Sequence, residues 1–335
     1  FRSFDRNFTF EVEHVSLAKK ADIMVVAPAT ANVIAKMAHG ICDDMLTTTL
    51  LAARCPILIS PAMNTAMYEN PITQKNMDIL REHGVGIIEP ASGMLACGDV
   101  GKGKMPEPEV IVECILNKIA LKKDLKGKKV LVTAGPTRES IDPVRFISNH
   151  STGKMGIAIA KVAAMMGADV TLICGPTKES MPLFCDVVDV ISAEDMYGAV
   201  TERMDEMDIM IFAAAVADMT PAQKHESKLK KESIKGEIKL DGTKDILSYV
   251  AANRRRGQSI VGFAMETDDL VDNAKKKLEK KNCDMIVANC LRTAGAGFAT
   301  DTNVVTLVTK DYAKELPIMS KEEVAKEILC RCISA

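Results

Sequence analysis

Short β-branched apolar runs alternate with helical stretches almost from one end of the chain to the other. The runs with strand character fall at residues 23–27, 57–60, 85–88, 129–133, 169–174, 208–213, 259–263, 285–288 and 304–308. Helical stretches cover residues 30–39, 71–83, 108–120, 155–167, 193–204 and 267–281. This alternation predicts an α/β fold of doubly wound, mostly parallel sheets with helices on both faces. In such sheets ligands gather at the loops that follow the C-terminal ends of the strands.

At 335 residues the chain is too long for one ordinary core. The charged run of residues 122–129 lies between a helix and a fresh strand and reads as a solvated linker. Two domains follow, 1–125 and 126–335. No internal repeat interrupts either.

Composition narrows the function classes. Acids and bases nearly cancel, with a net charge of −2, which argues against a protein built mainly to bind nucleic acid. No apolar run approaches the roughly 18–20 residues that span a bilayer. The polar start Phe1-Arg2-Ser3-Phe4-Asp5 is not a secretory signal, so a cytoplasmic location is expected. Because the chain opens on Phe1 and not Met, further residues are expected upstream. The 10 cysteines lack framework spacing and read as reduced thiols. Cys330 and Cys332, one residue apart with no second pair, do not form a zinc motif.

Three strand-end loops of the first half carry unusual side chains. Residues 28–32, Pro28-Ala29-Thr30-Ala31-Asn32, open a helix whose N–H groups could meet an anion or a flat ring, though Thr30 would equally serve as an ordinary cap. Asn64 stands in Pro61-Ala62-Met63-Asn64, where an amide could hold a carboxylate or a flavin edge; the methionines there are equally core material. Cys97 sits in the glycine-rich segment Ser92-Gly93-Met94-Leu95-Ala96-Cys97-Gly98-Asp99, which reads as a mobile flap. His14 lies in Glu13-His14-Val15-Ser16-Leu17; a lone histidine is also a common structural side chain.

With these motifs in order, residues 8–116 resemble the phosphopantothenoylcysteine decarboxylase family of flavoproteins. The resemblance implies bound FMN and redox-assisted loss of CO₂, with His14 as base, Asn64 as carboxylate clamp and Cys97 as proton donor. It implies that Thr30, Ala31 and Asn32 contact the flavin. The family begins with a strand and a loop for the FMN phosphate, neither of which the given chain contains. It also builds its flavin site between subunits of a trimer, so a homo-oligomer is implied.

In the second half, strand 129–133 runs into Ala134-Gly135-Pro136-Thr137-Arg138-Glu139. A loop then leads to Ser148-Asn149-His150-Ser151-Thr152-Gly153-Lys154-Met155-Gly156 and an apolar helix. The glycine spacing fits neither a Walker A loop nor a dinucleotide fingerprint. It reads as a phosphate-facing helix start or as plain capping. Asp218, just past a strand in Ala214-Ala215-Val216-Ala217-Asp218, could hold Mg²⁺ bridging phosphates. Lys228-Leu229-Lys230-Lys231 follows closely enough to form a lid over a triphosphate, although lysine runs are usually solvated surface.

Residues 126–330 resemble the phosphopantothenate–cysteine ligase domain through these stretches and Gly262-Phe263-Ala264-Met265-Glu266-Thr267. In the bacterial form that the fused order resembles, CTP activates 4′-phosphopantothenate as an acyl-cytidylate and the cysteine amine displaces CMP. The resemblance implies that Lys228 steadies the phosphates, Asn149 positions the acyl intermediate and Asp218 holds the metal or ribose-phosphate region. Ala213, Ala214, Ala215, Asp245, Ile246, Phe263, Lys277 and Lys281 would surround the nucleotide. For Lys277 and Lys281 the (i, i+4) spacing is equally that of a solvated helix face. Where the family has Asn-Pro-Asp-Ile, this chain has Thr243-Lys244-Asp245-Ile246. Trimeric flavin halves joined to dimeric ligase halves would give a large assembly. One alternative is a ligase whose flavin-fold half only binds or assembles; another is a nicotinamide oxidoreductase, which lacks its glycine loop.

Overall fold

A computed structural model describes residues 13–94, 98, 100–230, 237–266, 269–290 and 300–334. The chain folds as two compact units, Phe1–Leu121 and Lys122–Ala335.

The first unit runs α1 (Glu13–Lys20), β1 (Met24–Ala29), α2 (Ala31–His39), α3 (Met45–Ala52), β2 (Ile57–Pro61), α4 (Thr65–Glu69), α5 (Pro71–Glu82), β3 (Gly86–Ile87), β4 (Ala91–Met94), β5 (Val100–Lys104) and α6 (Pro108–Ile119). Strands β1, β2 and β3 form a parallel sheet in that order, with Val26 opposite Ile59 and Ala29 opposite Pro61. Val26, Ile59, Ile34 and Met77 pack on one face; Leu58, Ile88 and Ile111 pack on the other. The period-2 alternation of a strand buried on both sides explains why these runs are almost wholly apolar.

The second unit runs β6 (Lys129–Ala134), β7 (Arg138–Ser140), β8 (Phe146–Ser148), α7 (Lys154–Met165), β9 (Asp169–Cys174), β10 (Asp186–Asp189), α8 (Ala193–Thr201) and β11 (Ile209–Phe212). It continues with β12 (Met219–Pro221), β13 (Leu240–Gly242), α9 (Ile246–Asn253), β14 (Ser259–Glu266), α10 (Leu270–Lys281), β15 (Met285–Cys290), β16 (Thr302–Asn303), β17 (Val305–Val308), β18 (Ala313–Glu315), β19 (Met319–Ser320) and α11 (Lys321–Ser334). An eight-stranded sheet has the order β10-β9-β6-β11-β14-β15-β17-β18. Its first six strands are parallel, whereas β17 and β18 are antiparallel to their neighbours. The run predicted at 304–308 therefore returns antiparallel, and the short turn from Thr309 to Tyr312 lets β18 follow it as a hairpin.

The chain winds from β6 outward through β9 to β10, then crosses back so that β11 lies on the other side of β6. That reversal makes a crevice at the C-terminal ends of β6 and β11, where open α/β sheets take their ligands. Among the described residues the cysteines are free thiols, and no helix is long and apolar enough to cross a membrane.

Candidate active sites

In the first unit, the β1–β2 pairing sets the two loops Thr30–Asn32 and Pro61–Asn64 side by side at one sheet edge, tied by the Ala62 amide donating to the Ala29 carbonyl at 3.0 Å. Thr30 caps α2, its hydroxyl accepting from the Val33 amide at 3.3 Å, so the ordinary capping role is filled. Ala31 opens that helix and Asn32 is exposed on its first turn. Asn64 caps α4 and accepts from the Ala66 amide at 2.9 Å. His14 is half-buried in the first turn of α1.

The glycine-rich segment is a β-hairpin: β4 and β5 pair antiparallel from Ala91–Lys104 to Met94–Val100. Cys97 belongs to the connection between them and lies outside the described residues. The glycines of β5 answer to close packing. A Cβ on Gly101 would lie 2.4 Å from the Thr65 hydroxyl, and one on Gly103 would lie 2.1 Å from the Met63 carbonyl oxygen. The Met63 amide also donates to the Gly103 carbonyl at 3.0 Å. The strand leading away from Cys97 is thus docked on the loop that carries Asn64. Beside that loop, the hydroxyls of Ser60 and Thr65 are buried and have no hydrogen-bond partner among the described residues. Unmet polar groups at a strand end suit a ligand with a polar edge, such as a flavin.

In the second unit, a cavity of about 510 Å³ opens at the switch point. It is lined by Asn149–Gly156, Ala213–Val216, Asp218, Phe263–Met265, Lys277, Asn289, Asn303 and Lys321. An adjoining cavity of about 440 Å³ shares Ala214, Val216, Asp218, Phe263 and Lys277, and adds Thr243, Lys244, Asp245, Ile246 and Lys281. The structure therefore gathers nearly every residue predicted for the nucleotide region.

Local hydrogen bonding explains the shape. The loop after β11 is strapped to the loop after β6: the Ala215 amide donates to the Gly135 carbonyl at 2.9 Å, and the Ala217 amide to the Thr137 hydroxyl at 3.0 Å. The Thr243 hydroxyl donates to the Ala217 carbonyl at 2.6 Å and its amide to the Asp218 carbonyl at 3.0 Å, which holds Asp218 at the rim. The Asn149 amide group donates to the Val216 carbonyl at 3.0 Å. Helix α7 begins at Gly153, whose φ of 81° requires glycine, with no side-chain cap. Its first residues, Lys154, Met155 and Gly156, line the cavity, and a helix start in such a place suits an anion.

Two of the lysines of α10, Lys277 and Lys281, line the cavities. Lys277 donates to the Phe263 carbonyl at 2.8 Å, and Lys281 is ion-paired with Asp245. Burial raises the Asp245 carboxyl, but the Lys281 bond and the Ser248 amide hold it below its ordinary value. Lys228 differs: it is exposed and lines neither cavity. The next residue anchors that segment, the Leu229 amide donating to the Asp142 carboxylate at 3.2 Å and its carbonyl accepting from Arg145 at 2.8 Å. Lys231 lies outside the described residues. Among the described residues no group of three or more His, Cys, Asp or Glu side chains is poised for a metal. Asp218 alone would leave most of a Mg²⁺ shell to phosphate oxygens and water, which is the usual arrangement for that ion.

Sequence reasoning missed Lys321, Asn289 and Asn303. Lys321 is 6% exposed at the start of α11 and donates to the Thr300 carbonyl. Burial lowers its ammonium, and the neighbouring Lys154 charge adds to that. Lys154 itself pairs with Asp301 at 2.7 Å.

Residues 2–120 match the family described as flavoprotein, and residues 125–335 match the DNA/pantothenate metabolism flavoprotein C-terminal domain. The coenzyme A biosynthesis bifunctional protein CoaBC of Bacillus subtilis (strain 168) is 50% identical over 322 residues, 95% of this chain and 79% of that protein. The chain belongs to this bifunctional family. It is a two-part enzyme of coenzyme A biosynthesis, a flavoprotein decarboxylase half followed by a ligase half. The CoaBC protein of Vibrio vulnificus (strain YJ016) is 45% identical, over 94% of this chain and 79% of its own. A cysteine/cysteine sulfinic acid decarboxylase from an unknown prokaryotic organism is 47% identical, over 96% and 91%. Among solved structures, the C-terminal domain of CoaBC superposes with a TM-score of 0.55 at 43% identity, covering 64% of this chain and 97% of that one. The second unit thus shares its overall fold with that domain.

Proposed function

We propose that the ligase half joins 4′-phosphopantothenate to cysteine using CTP, and that the flavin half decarboxylates the product to 4′-phosphopantetheine. A carboxylate oxygen of phosphopantothenate attacks the α-phosphorus of CTP and pyrophosphate leaves. The cysteine amine then attacks the acyl carbon and CMP leaves. The observation that carries this reading is the pair of adjoining cavities at the switch point, in a family member with both halves in order.

The smaller cavity, with Asp245, Ile246, Phe263, Lys277 and Lys281, takes the nucleotide in this reading. The helix α7 start and the Ala213–Ala215 loop face the larger cavity, where donors to phosphate oxygens would stabilise charge developing on the nucleotide. Asn149 holds the acyl group against Val216, and Asp218 carries Mg²⁺ with the phosphates. Lys228, outside both cavities, reaches the phosphates only if its segment swings on the Leu229 anchor.

In the flavin half, FMN would supply two-electron redox chemistry at the cysteinyl carbon–sulfur unit. Thr30, Ala31 and Asn32 line one loop beside it and the Ser60 and Thr65 hydroxyls lie at the other. His14 takes a proton, Asn64 holds the departing carboxylate and Cys97 returns a proton. A cytoplasmic homo-oligomer of trimeric flavin halves and dimeric ligase halves belongs to the same proposal.

The relative described as a cysteine/cysteine sulfinic acid decarboxylase favours a second reading, in which the flavin half acts on free cysteine. Incubating the FMN-supplemented protein with phosphopantothenate, CTP, Mg²⁺ and cysteine, and following products by mass, separates the two. Phosphopantetheine with pyrophosphate supports the first; cysteamine formed without CTP supports the second. Absence of both would overturn the enzymatic reading.

A further inference from the structure

Thr243, Lys244, Asp245 and Ile246 follow one another along the smaller cavity, between β13 and the first turn of α9. Three of them are tied to three different elements. Thr243 is bonded to the loop after β11, through the Ala217 and Asp218 carbonyls. Asp245 caps α9 and is ion-paired with Lys281 of α10. Lys244 is bound to α8: its ammonium donates to the Glu194 carboxylate at 2.6 Å and lies 4.6 Å from the centre of the Tyr197 ring. Tyr197 in turn meets Tyr249 of α9 edge-on, with ring centres 5.1 Å apart. Glu194 and Tyr197 themselves line neither cavity.

Ion pairs between exposed groups are usually worth little, because two long side chains must be held in one geometry. Here one of the two stands on a fixed mount. The start of α8 is closed by a capping box, Ser192 accepting from the Asp195 amide at 3.2 Å and Asp195 from the Ser192 amide at 2.8 Å. It is also bound to β7: the Arg138 amide donates to the Ile191 carbonyl at 2.7 Å, and the Ala193 amide to the buried Glu139 carboxylate at 2.8 Å. Strand β7 follows directly on the loop after β6 at the switch point. Glu194 is therefore fixed relative to that loop, and Lys244 passes the constraint to the residues that line the smaller cavity. With a carboxylate and a ring as partners, the Lys244 charge is already met on the α8 side.

We propose that Glu194 is a positioning residue for the nucleotide, acting through Lys244. The pair fixes the loop of residues 243–246 against α8, and so keeps Asp245 and Ile246 in place beside Phe263, Lys277 and Lys281. The inference rests on the reading of the smaller cavity as the nucleotide site, and adds a tether that lies outside it.

Pyrophosphate release by the full chain, with 4′-phosphopantothenate, cysteine and Mg²⁺ and with CTP varied, tests it. Both side chains are exposed, so the variants are expected to fold. Lys244→Met and Glu194→Gln are each expected to raise the KM for CTP by about fivefold, with kcat and the KM for phosphopantothenate unchanged. Lys244→Glu sets two carboxylates together and is expected to raise it further. Adding Glu194→Lys in the same chain restores an opposed pair, and is expected to bring the KM back to within about twofold of wild type. A swapped chain as poor as Lys244→Glu overturns the tether, because the Lys244 ammonium would then act on the nucleotide itself. An unchanged KM for CTP in both Lys244→Met and Glu194→Gln overturns it too. Either result with normal wild-type turnover sinks the tether alone; no pyrophosphate from the wild-type chain overturns the ligase reading, and the inference with it.

Discussion

Asp142 shows how one buried carboxylate organises a distant lysine. Its side chain accepts from the amides of Val144 and Arg145 at 2.8 Å each, from the Arg145 guanidinium at 2.6 Å and from the Leu229 amide at 3.2 Å. Burial pushes its pKa up, yet these bonds hold it well below the usual carboxylate range. A depressed carboxyl stabilises the fold fully above the unfolded value of about 4, and the contribution is lost as pH falls below it. Thermal melts of Asp142→Asn should therefore depend less on pH than the wild type between about pH 5 and pH 2. The same variant loosens the segment bearing Lys228. Pyrophosphate release at neutral pH should fall roughly tenfold or more, since small misplacements of charged groups are costly to catalysis. Unchanged release would show that Lys228 does not depend on this anchor. Sequence spacing alone suggested a lid close to Asp218, because separation along the chain says little about a segment tied back by a carboxylate 87 residues away. Asn289 was illegible for another reason: one amide at the end of a buried strand belongs to no motif, and it is marked by its place in the cavity lining and by an Oδ1 that has no hydrogen-bond partner among the described residues.

At the scale of elements, the apolar runs located the strands of both sheets except β10 and β18 at the edges of the larger one, because strands buried on two faces leave a continuous signal that edge strands lack. Helix α7 likewise follows its predicted stretch, as Lys154–Met165. What escaped were the antiparallel pairs β7–β8 and β12–β13, whose strands of three residues are too short for a period to show. The Thr-rich helix α3 escaped too, its threonines being weak helix formers held by the Asp44 cap. The glycine-rich segment forms a hairpin, and two of its glycines, Gly101 and Gly103, are set by contact with the Met63–Thr65 loop. Gly103→Ala puts a Cβ against the Met63 carbonyl at a φ of 140°. It should destabilise the flavin half by about 1–3 kcal/mol and lower CO₂ release, with pyrophosphate release unaffected. A melt and the two product assays check this together; a loss confined to pyrophosphate would count against the hairpin's role.

At the scale of the molecule, two catalytic halves in one chain should fail separately. Cys97→Ser keeps the size of the side chain but removes a much better acid. Carbon dioxide release should drop by about a hundredfold or more, with pyrophosphate release at the wild-type rate. Normal CO₂ release in that variant would remove Cys97 from its proposed role. The order of the halves carries a second consequence: the flavin half consumes what the ligase half makes, so decarboxylation should wait on ligation. Carboxyl-labelled cysteine, supplied with 4′-phosphopantothenate, FMN and Mg²⁺ in the presence or absence of CTP, tests this most directly. The expected result is labelled CO₂ only when CTP is present, appearing after pyrophosphate and reaching one equivalent of it. Labelled CO₂ at the same rate without CTP would contradict the account.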